Sequence, residues 1–293
     1  MNKPLWKHFL SVTLFGLNGV VASFIELSSH EIVFFRTLLG SLLMAAVFFL
    51  RREKFSFLKH KKQFFFLMLS GLIMGVHWMF LYEAYARVGP GLGTLLCYCG
   101  PVIVVVLSPL VFKEKLTLPK LIGFAAVMLG VFFISGISGA KMDPLGFISG
   151  ILSAVTYAGM VIFNKKAKDI GGLENTMFQL GFAFIAVSIF LVIRQGFCIP
   201  VKGSDILPIL GLGLVHTGFG CWLYFSTMSR LPVQTVSILG YLEPLFAVVF
   251  SALILHRPMM PLQWLGAGLI IGGAMIAECY HLLFRKQASD LTA

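Results

Sequence analysis

Ten apolar runs, each long enough to cross a bilayer as a helix, account for most of this 293-residue chain. A hydrocarbon core of ~30 Å needs about 20 helical residues. The runs at 8–27, 31–50, 63–86, 90–112, 117–136, 145–164, 174–194, 206–228, 233–255 and 260–283 all meet that length. The longest link between them, Arg51 to Lys62, is a basic hinge too short to hold a domain. Only 12% of the residues are charged, about half the ~25% of an ordinary soluble domain. A soluble fold would have to coat itself in apolar side chains, which drives aggregation. A soluble enzyme, a secreted disulfide scaffold and a disordered tail protein are thereby excluded. The expected fold class is an all-α integral membrane protein with ten transmembrane helices, and its first partner is the lipid bilayer.

The net charge of +11 raises nucleic acid as a partner, and the placement of the charge removes it. Lys and Arg fall in short clusters between the runs, as topology signals do. Seventeen lie on the side carrying both termini, five on the other (Arg87, Lys141, Arg194, Lys202, Arg257), and Arg36 sits inside a run. Cytoplasmic loops carry the excess of positive charge, so both termini are expected in the cytoplasm, in a bacterial inner membrane. The five cysteines (Cys97, Cys99, Cys198, Cys221, Cys279) show no paired spacing. They read as small apolar fillers, and neither a metal nor a cofactor is expected.

Sliding the chain on itself by 143 residues superposes the fourth and fifth runs on the ninth and tenth. Arg87 meets Arg230, Tyr98 meets Tyr241, Pro101 meets Pro244, Ser108 meets Ser251, Gly123 meets Gly266 and Gly130 meets Gly273. Ten of the 44 pairs from residue 87 to 130 are identical. The expected halves, 1–138 and 139–293, hold five runs each. An odd number forces the second half into the membrane upside down. Inverted repeats let one structure adopt two oppositely facing conformations, the basis of alternating access.

The sequence resembles the drug/metabolite transporter superfamily, in particular its EamA-like ten-helix branch. The likeness rests on Phe15-Gly16-Leu17-Asn18, Phe35-Arg36-Thr37-Leu38, and Gly100-Pro101-Val102 leading to Lys113-Glu114-Lys115-Leu116-Thr117. Tyr241-Leu242-Glu243-Pro244-Leu245 and Gln263-Trp264-Leu265-Gly266-Ala267 complete it. The chain departs from the family at His256-Arg257-Pro258, where a Gly-Glu or Lys-Glu corner is usual, and at Phe15-Gly16, where Trp-Gly is commoner. The resemblance implies a secondary transporter, most often an exporter, of amino acids or other small metabolites. It also implies a cavity lined in part by Tyr98, Tyr241, Tyr157 and Asn18.

Ionisable groups inside hydrocarbon cost ~2.5–3.5 kcal/mol each, so each needs a reason. Glu243 lies about 15 Å into the ninth run at ~1.5 Å per residue, next to Pro244. It suits a substrate ammonium or a coupling proton. Arg36, about 8 Å inside the second run, suits a carboxylate or an interhelical lock. Its repeat mate is Gln179. His77 and His216 lie near mid-membrane, able to relay protons or to bond a helix carbonyl. His216, Gly220 and Tyr224 share one helical face, as do Trp78, Tyr82 and Tyr85, with Tyr85 expected at the interface. Pro101 and Pro244 are the expected hinges, and Gly268 and Gly272 the expected small-residue packing face. Glu83 is expected to pair with Arg87 four residues on. All four Asp lie in loops or tails, and no HExxH occurs, which disfavours a membrane enzyme. No filter loop or ring of like charge suggests a channel. A carrier for nucleosides or organic cations remains the alternative within the transporter reading. Coupling ion and oligomeric state stay open.

Overall fold

The computed structural model describes residues 3–135, 143–195, 199, 201–256 and 259–290, and for Pro90 and residues 278–290 the backbone alone. Lys141, Arg257, Cys198 and the expected 138/139 boundary lie outside the described residues, as do the side chains of Cys279, Arg285 and Lys286. All regular structure among the described residues is helical. The elements are α1 (Lys3–Gly16), α2 (Asn18–Ala22), α3 (Ser29–Leu50), α4 (Lys61–Cys97), α5 (Cys99–Phe112), α6 (Leu118–Ser135), α7 (Pro144–Lys166) and α8 (Gly172–Gln195). They continue with α9 (Ile206–Leu210), a wide-turned π segment (Gly211–Phe219), α10 (Gly220–Met228), α11 (Val233–Gly240), α12 (Leu242–Ile254) and α13 (Pro261–Asp290).

Among the described residues, eight stretches are long and apolar enough to cross a bilayer, from Ser29–Leu50 to Val233–Ile254. The first and last of the ten expected runs differ. The first is interrupted at Leu17, whose N–H turns back to the Leu14 carbonyl (3.1 Å) between α1 and α2. Gly16 and Gly19 flank that turn, and glycine is a poor helix former. Gly16 also lies against α12 so closely that an added Cβ would stand 2.4 Å from Phe246 Cβ. The last run is helical throughout Pro261–Asp290, and among the described residues its apolar stretch is Pro261–Ala277.

Local chemistry sets the ends. Ser28 and Glu31 form a reciprocal cap at the start of α3, and Asp143 caps α7 through the Leu145 and Gly146 amides (2.9 and 3.4 Å) ahead of Pro144. Gly89 (φ 85°, ψ 159°) separates the third and fourth runs inside α4, a conformation that a residue with a Cβ rarely adopts. The helices also break at Tyr98 and Tyr241, three residues before Pro101 and Pro244. A helical proline donates no N–H to residue i−4, and its ring crowds that carbonyl, so each chain loosens just ahead of it.

Large apolar side chains point outward, including Leu50, Leu110 and Ile193, each more than four-fifths exposed, as a lipid-facing surface requires. Inside, α6 and α13 touch backbone to backbone. A Cβ on Gly123 would lie 2.4 Å from the Gly273 carbonyl oxygen, and one on Gly130 would lie 2.7 Å from that of Gly266. The 143-residue offset exchanges these two contacts. Gly268 and Gly272, the expected packing face, have open space instead. The GxxxG-like spacing selected the wrong side of the helix, whereas the glycines matched in the repeat lie at the contact.

At the end opposite the termini, Glu83 accepts from Arg87 Nε (2.7 Å) and from Arg194 Nη1 (2.7 Å), and Arg87 also reaches Asp143 (3.2 Å). The expected Glu83–Arg87 pair is therefore part of a network joining α4, α7 and α8.

Candidate functional site

A cavity of about 520 Å³ lies in the middle of the bundle. Its walls come from α1 and α2 (Phe15, Asn18), α3 (Arg36), α4 (His77, Trp78, Tyr82, Tyr85) and the region of the two helix breaks (Tyr98, Pro101, Glu243, Pro244). Tyr157 of α7 and Tyr224 of α10 complete the ring. In height it runs from Met160 and Pro101 at mid-helix to Ala22, Tyr85 and Thr94, near the end opposite the termini.

Arg36 and Glu243 give this mostly apolar space, with its several aromatic rings, its charge. Arg36 is buried, donates from Nε to Thr217 Oγ1 (2.9 Å), and holds its guanidinium carbon 4.6 Å from the centroid of the Trp78 ring. Stacking on tryptophan and one hydrogen bond fix the guanidinium plane. Its remaining N–H groups form the fork that a carboxylate fits. Glu243, on the first turn of α12, lines the same cavity beside Tyr98. The two opposite charges thus share one cavity without forming a direct ion pair among the bridges found. Asn18 adds a buried Oδ1 that accepts no hydrogen bond from the described residues.

The other polar groups are held by second partners. His77 donates from Nδ1 to the Ser153 carbonyl (2.8 Å), which leaves Nε2 as its acceptor nitrogen. The hydroxyls of Tyr157 and Tyr224 stand 3.5 Å apart. Thr94 Oγ1 donates to the Tyr85 hydroxyl (3.2 Å). Tyr85 also lines the cavity, near its end opposite the termini. Tyr82, Tyr85, Thr94 and Cys97 were not among the expected site residues. For Tyr82 and Tyr85 the signal was present, since they continue the Trp78 face by one and two turns.

Three expected residues lie off the cavity. Tyr241 is wholly buried against α6, its hydroxyl donating to the Tyr98 carbonyl (2.8 Å). That bond ties together the two helix breaks. His216 sits in the π segment and donates from Nδ1 to the Leu14 carbonyl (2.9 Å). That bond holds it against α1, and it does not line the cavity. Gln179 bonds Ser70 Oγ (3.0 Å) and receives Asn164 Nδ2 (3.1 Å) in a satisfied polar cluster between α4, α7 and α8.

The model of the EamA-like transporter family matches residues 4–136 and 144–278. The chain belongs to the EamA-like transporter family. The transporter is 25% identical to an uncharacterized transporter of Bacillus subtilis over 98% of this chain and 92% of that protein. It is 27% identical to a probable amino-acid metabolite efflux pump of Escherichia coli over 67% of this chain and 69% of that one. A solved crystal structure superposes with a TM-score of 0.81 at 17% identity, covering 95% of this chain and 98% of its own, a likeness of fold alone. This is a multi-pass membrane transporter for a small molecule, not an enzyme.

Proposed function

We propose that the transporter is a secondary carrier that exports amino acids or similar small zwitterions by alternating access. The observation that carries this reading is the pairing of Arg36 and Glu243 in one aromatic cavity. A carboxylate fits the Arg36 fork, an ammonium fits Glu243 and the open acceptor of Asn18, and an apolar side chain fits the rings of Trp78, Tyr157 and Tyr224. An organic cation would use Glu243 and leave Arg36 without a partner. The name of the Escherichia coli relative agrees with the amino-acid reading.

The transport cycle we infer uses ten spans arranged as two inverted five-helix repeats, 1–138 and 139–293, with both termini in the cytoplasm of a bacterial inner membrane. Support comes from the offset that exchanges the two α6–α13 glycine contacts, from helix breaks at matching positions Tyr98 and Tyr241, and from the two family-matched stretches. The repeats rock about these breaks, next to Pro101 and Pro244, and Glu243 either binds the substrate ammonium or carries a coupling proton.

Counterflow tests the reading. Proteoliposomes loaded with unlabelled amino acids and given a trace labelled mixture outside are expected to accumulate label transiently. A flat time course in monodisperse, reconstituted protein, alongside accumulation of a nucleoside or organic cation, would replace the amino-acid reading with that class.

A further inference from the structure

The two ends of the cavity are closed and open by matching parts of the chain, which differ in side-chain chemistry. Toward the termini, α5 packs on α11. Toward the other end, the repeat counterparts of these segments are Gly91–Cys97 and α12. They stand apart, with Thr94 and Cys97 on one side of the cavity and Glu243, Pro244 and Ala247 on the other.

The closed end is tied by four polar side chains. Pro232 begins α11 without a side-chain cap. Glu114, from the corner after α5, supplies the cap from the other repeat, accepting from the Val233 amide (2.8 Å) and the Gln234 amide (3.2 Å). Gln234 is wholly buried; it donates from Nε2 to Ser108 Oγ (2.7 Å) and accepts from Lys120 Nζ (2.7 Å). One glutamine thereby bridges α11 to α5 and α6, and the bonds to Glu114 and Lys120 are charge-assisted, the stronger kind. Lys165 of α7 adds hydrogen bonds to the Met228 and Leu231 carbonyls at the same end.

The 143-residue offset carries Gln234 to Gly91, Glu114 to Arg257, Lys120 to Gln263 and Ser108 to Ser251. A glycine has no side chain to bridge with, and a guanidinium accepts no amide proton. Gln263 already engages the Met260 amide (2.9 Å) and the Ile134 carbonyl (3.3 Å). Only the serine of the set is kept.

We infer that Glu114, Gln234, Ser108 and Lys120 form a polar lock on the terminus end of the cavity, which has no equivalent at the other end among the described residues, so that the resting transporter faces away from its termini. The inference rests on the alternating-access reading above. In that cycle, opening the terminus end means breaking this lock, and closing the opposite end gains no matching bonds.

The test uses the full chain, with its five cysteines replaced, bearing either Thr94→Cys in the cavity wall or Val105→Cys, one turn from Ser108 on α5. An impermeant maleimide is applied to spheroplasts and to inside-out vesicles. With the lock intact, Thr94→Cys is expected to react and Val105→Cys to stay protected. Adding Glu114→Ala or Gln234→Ala is expected to slow labelling at position 94 at least about threefold and to make position 105 reactive from the terminus side. Gln263→Ala is expected to change neither. Unchanged labelling at both positions in monodisperse protein, or an equal shift from Gln263→Ala, overturns the inference. If Glu114→Ala is not recovered monodisperse, Ser108→Ala and Lys120→Ala, which each remove one arm, carry the same test. Labelling reports which end is open whether or not a substrate is known, so a failed substrate assignment and a failed lock give different results.

Discussion

Replacing Glu243 by glutamine is expected to lower transport at least about tenfold. The substitution keeps the size of the side chain and its ability to accept a hydrogen bond, and removes the charge. A hydrogen bond to a charged partner contributes about 1.5–3 kcal/mol, and 1.4 kcal/mol is a factor of ten. The cavity wall is mostly apolar, and in such surroundings a charged contact counts for more than it does in water. Arg36→Lys is expected to do similar damage while conserving charge. Lysine lacks the planar fork and the stack on Trp78, and it presents a point charge where two parallel N–H groups are needed. Uptake or counterflow in proteoliposomes checks both. Full activity in Glu243→Gln would reduce Glu243 to a structural group.

The second large effect is on folding. Gly123→Leu and Gly273→Leu are each expected to destabilise the protein by at least about 3 kcal/mol, the upper part of the overpacking range, because backbone and not a movable side chain is in the way. An added Cβ at Gly273 would already sit 2.5 Å from the Gly123 carbonyl oxygen. Gly272→Leu, one residue along the same helix, faces open space and is expected to stay within about 0.5 kcal/mol. Size-exclusion profiles and thermal melts in detergent read the contrast. Equal behaviour of Gly272→Leu and Gly273→Leu would contradict the α6–α13 packing.

Those two glycines also show what was legible in the sequence. An all-helical membrane fold follows from the apolar runs alone, since in lipid a helix is one of the few ways to satisfy the backbone. The repeat match paired Gly123 with Gly266 and Gly130 with Gly273 without assigning them a contact, and the structure puts all four where α6 meets α13. The motif-based choice of Gly268 and Gly272 failed, since spacing fixes a face of the helix but not which face meets a neighbour. The charged pair Arg36 and Glu243 was legible from depth, and the structure brings both to one cavity. His216 was misplaced because its partner, the Leu14 carbonyl, lies on a helix 202 residues away in sequence, and Gln179 because its hydrogen-bond partners come from two other helices. The break at Leu17 and the lock around Gln234 depend on contacts between distant segments, to which one-dimensional patterns are blind.

The central claim is that one cavity grips both ends of a zwitterion, the carboxylate at Arg36 and the ammonium at Glu243. Competition in the counterflow assay measures this most directly, comparing a transported amino acid with its methyl ester and its N-acetyl derivative. The account predicts that each derivative, having lost one charged end, competes at least about tenfold more weakly than the parent. Equal competition by all three would contradict it.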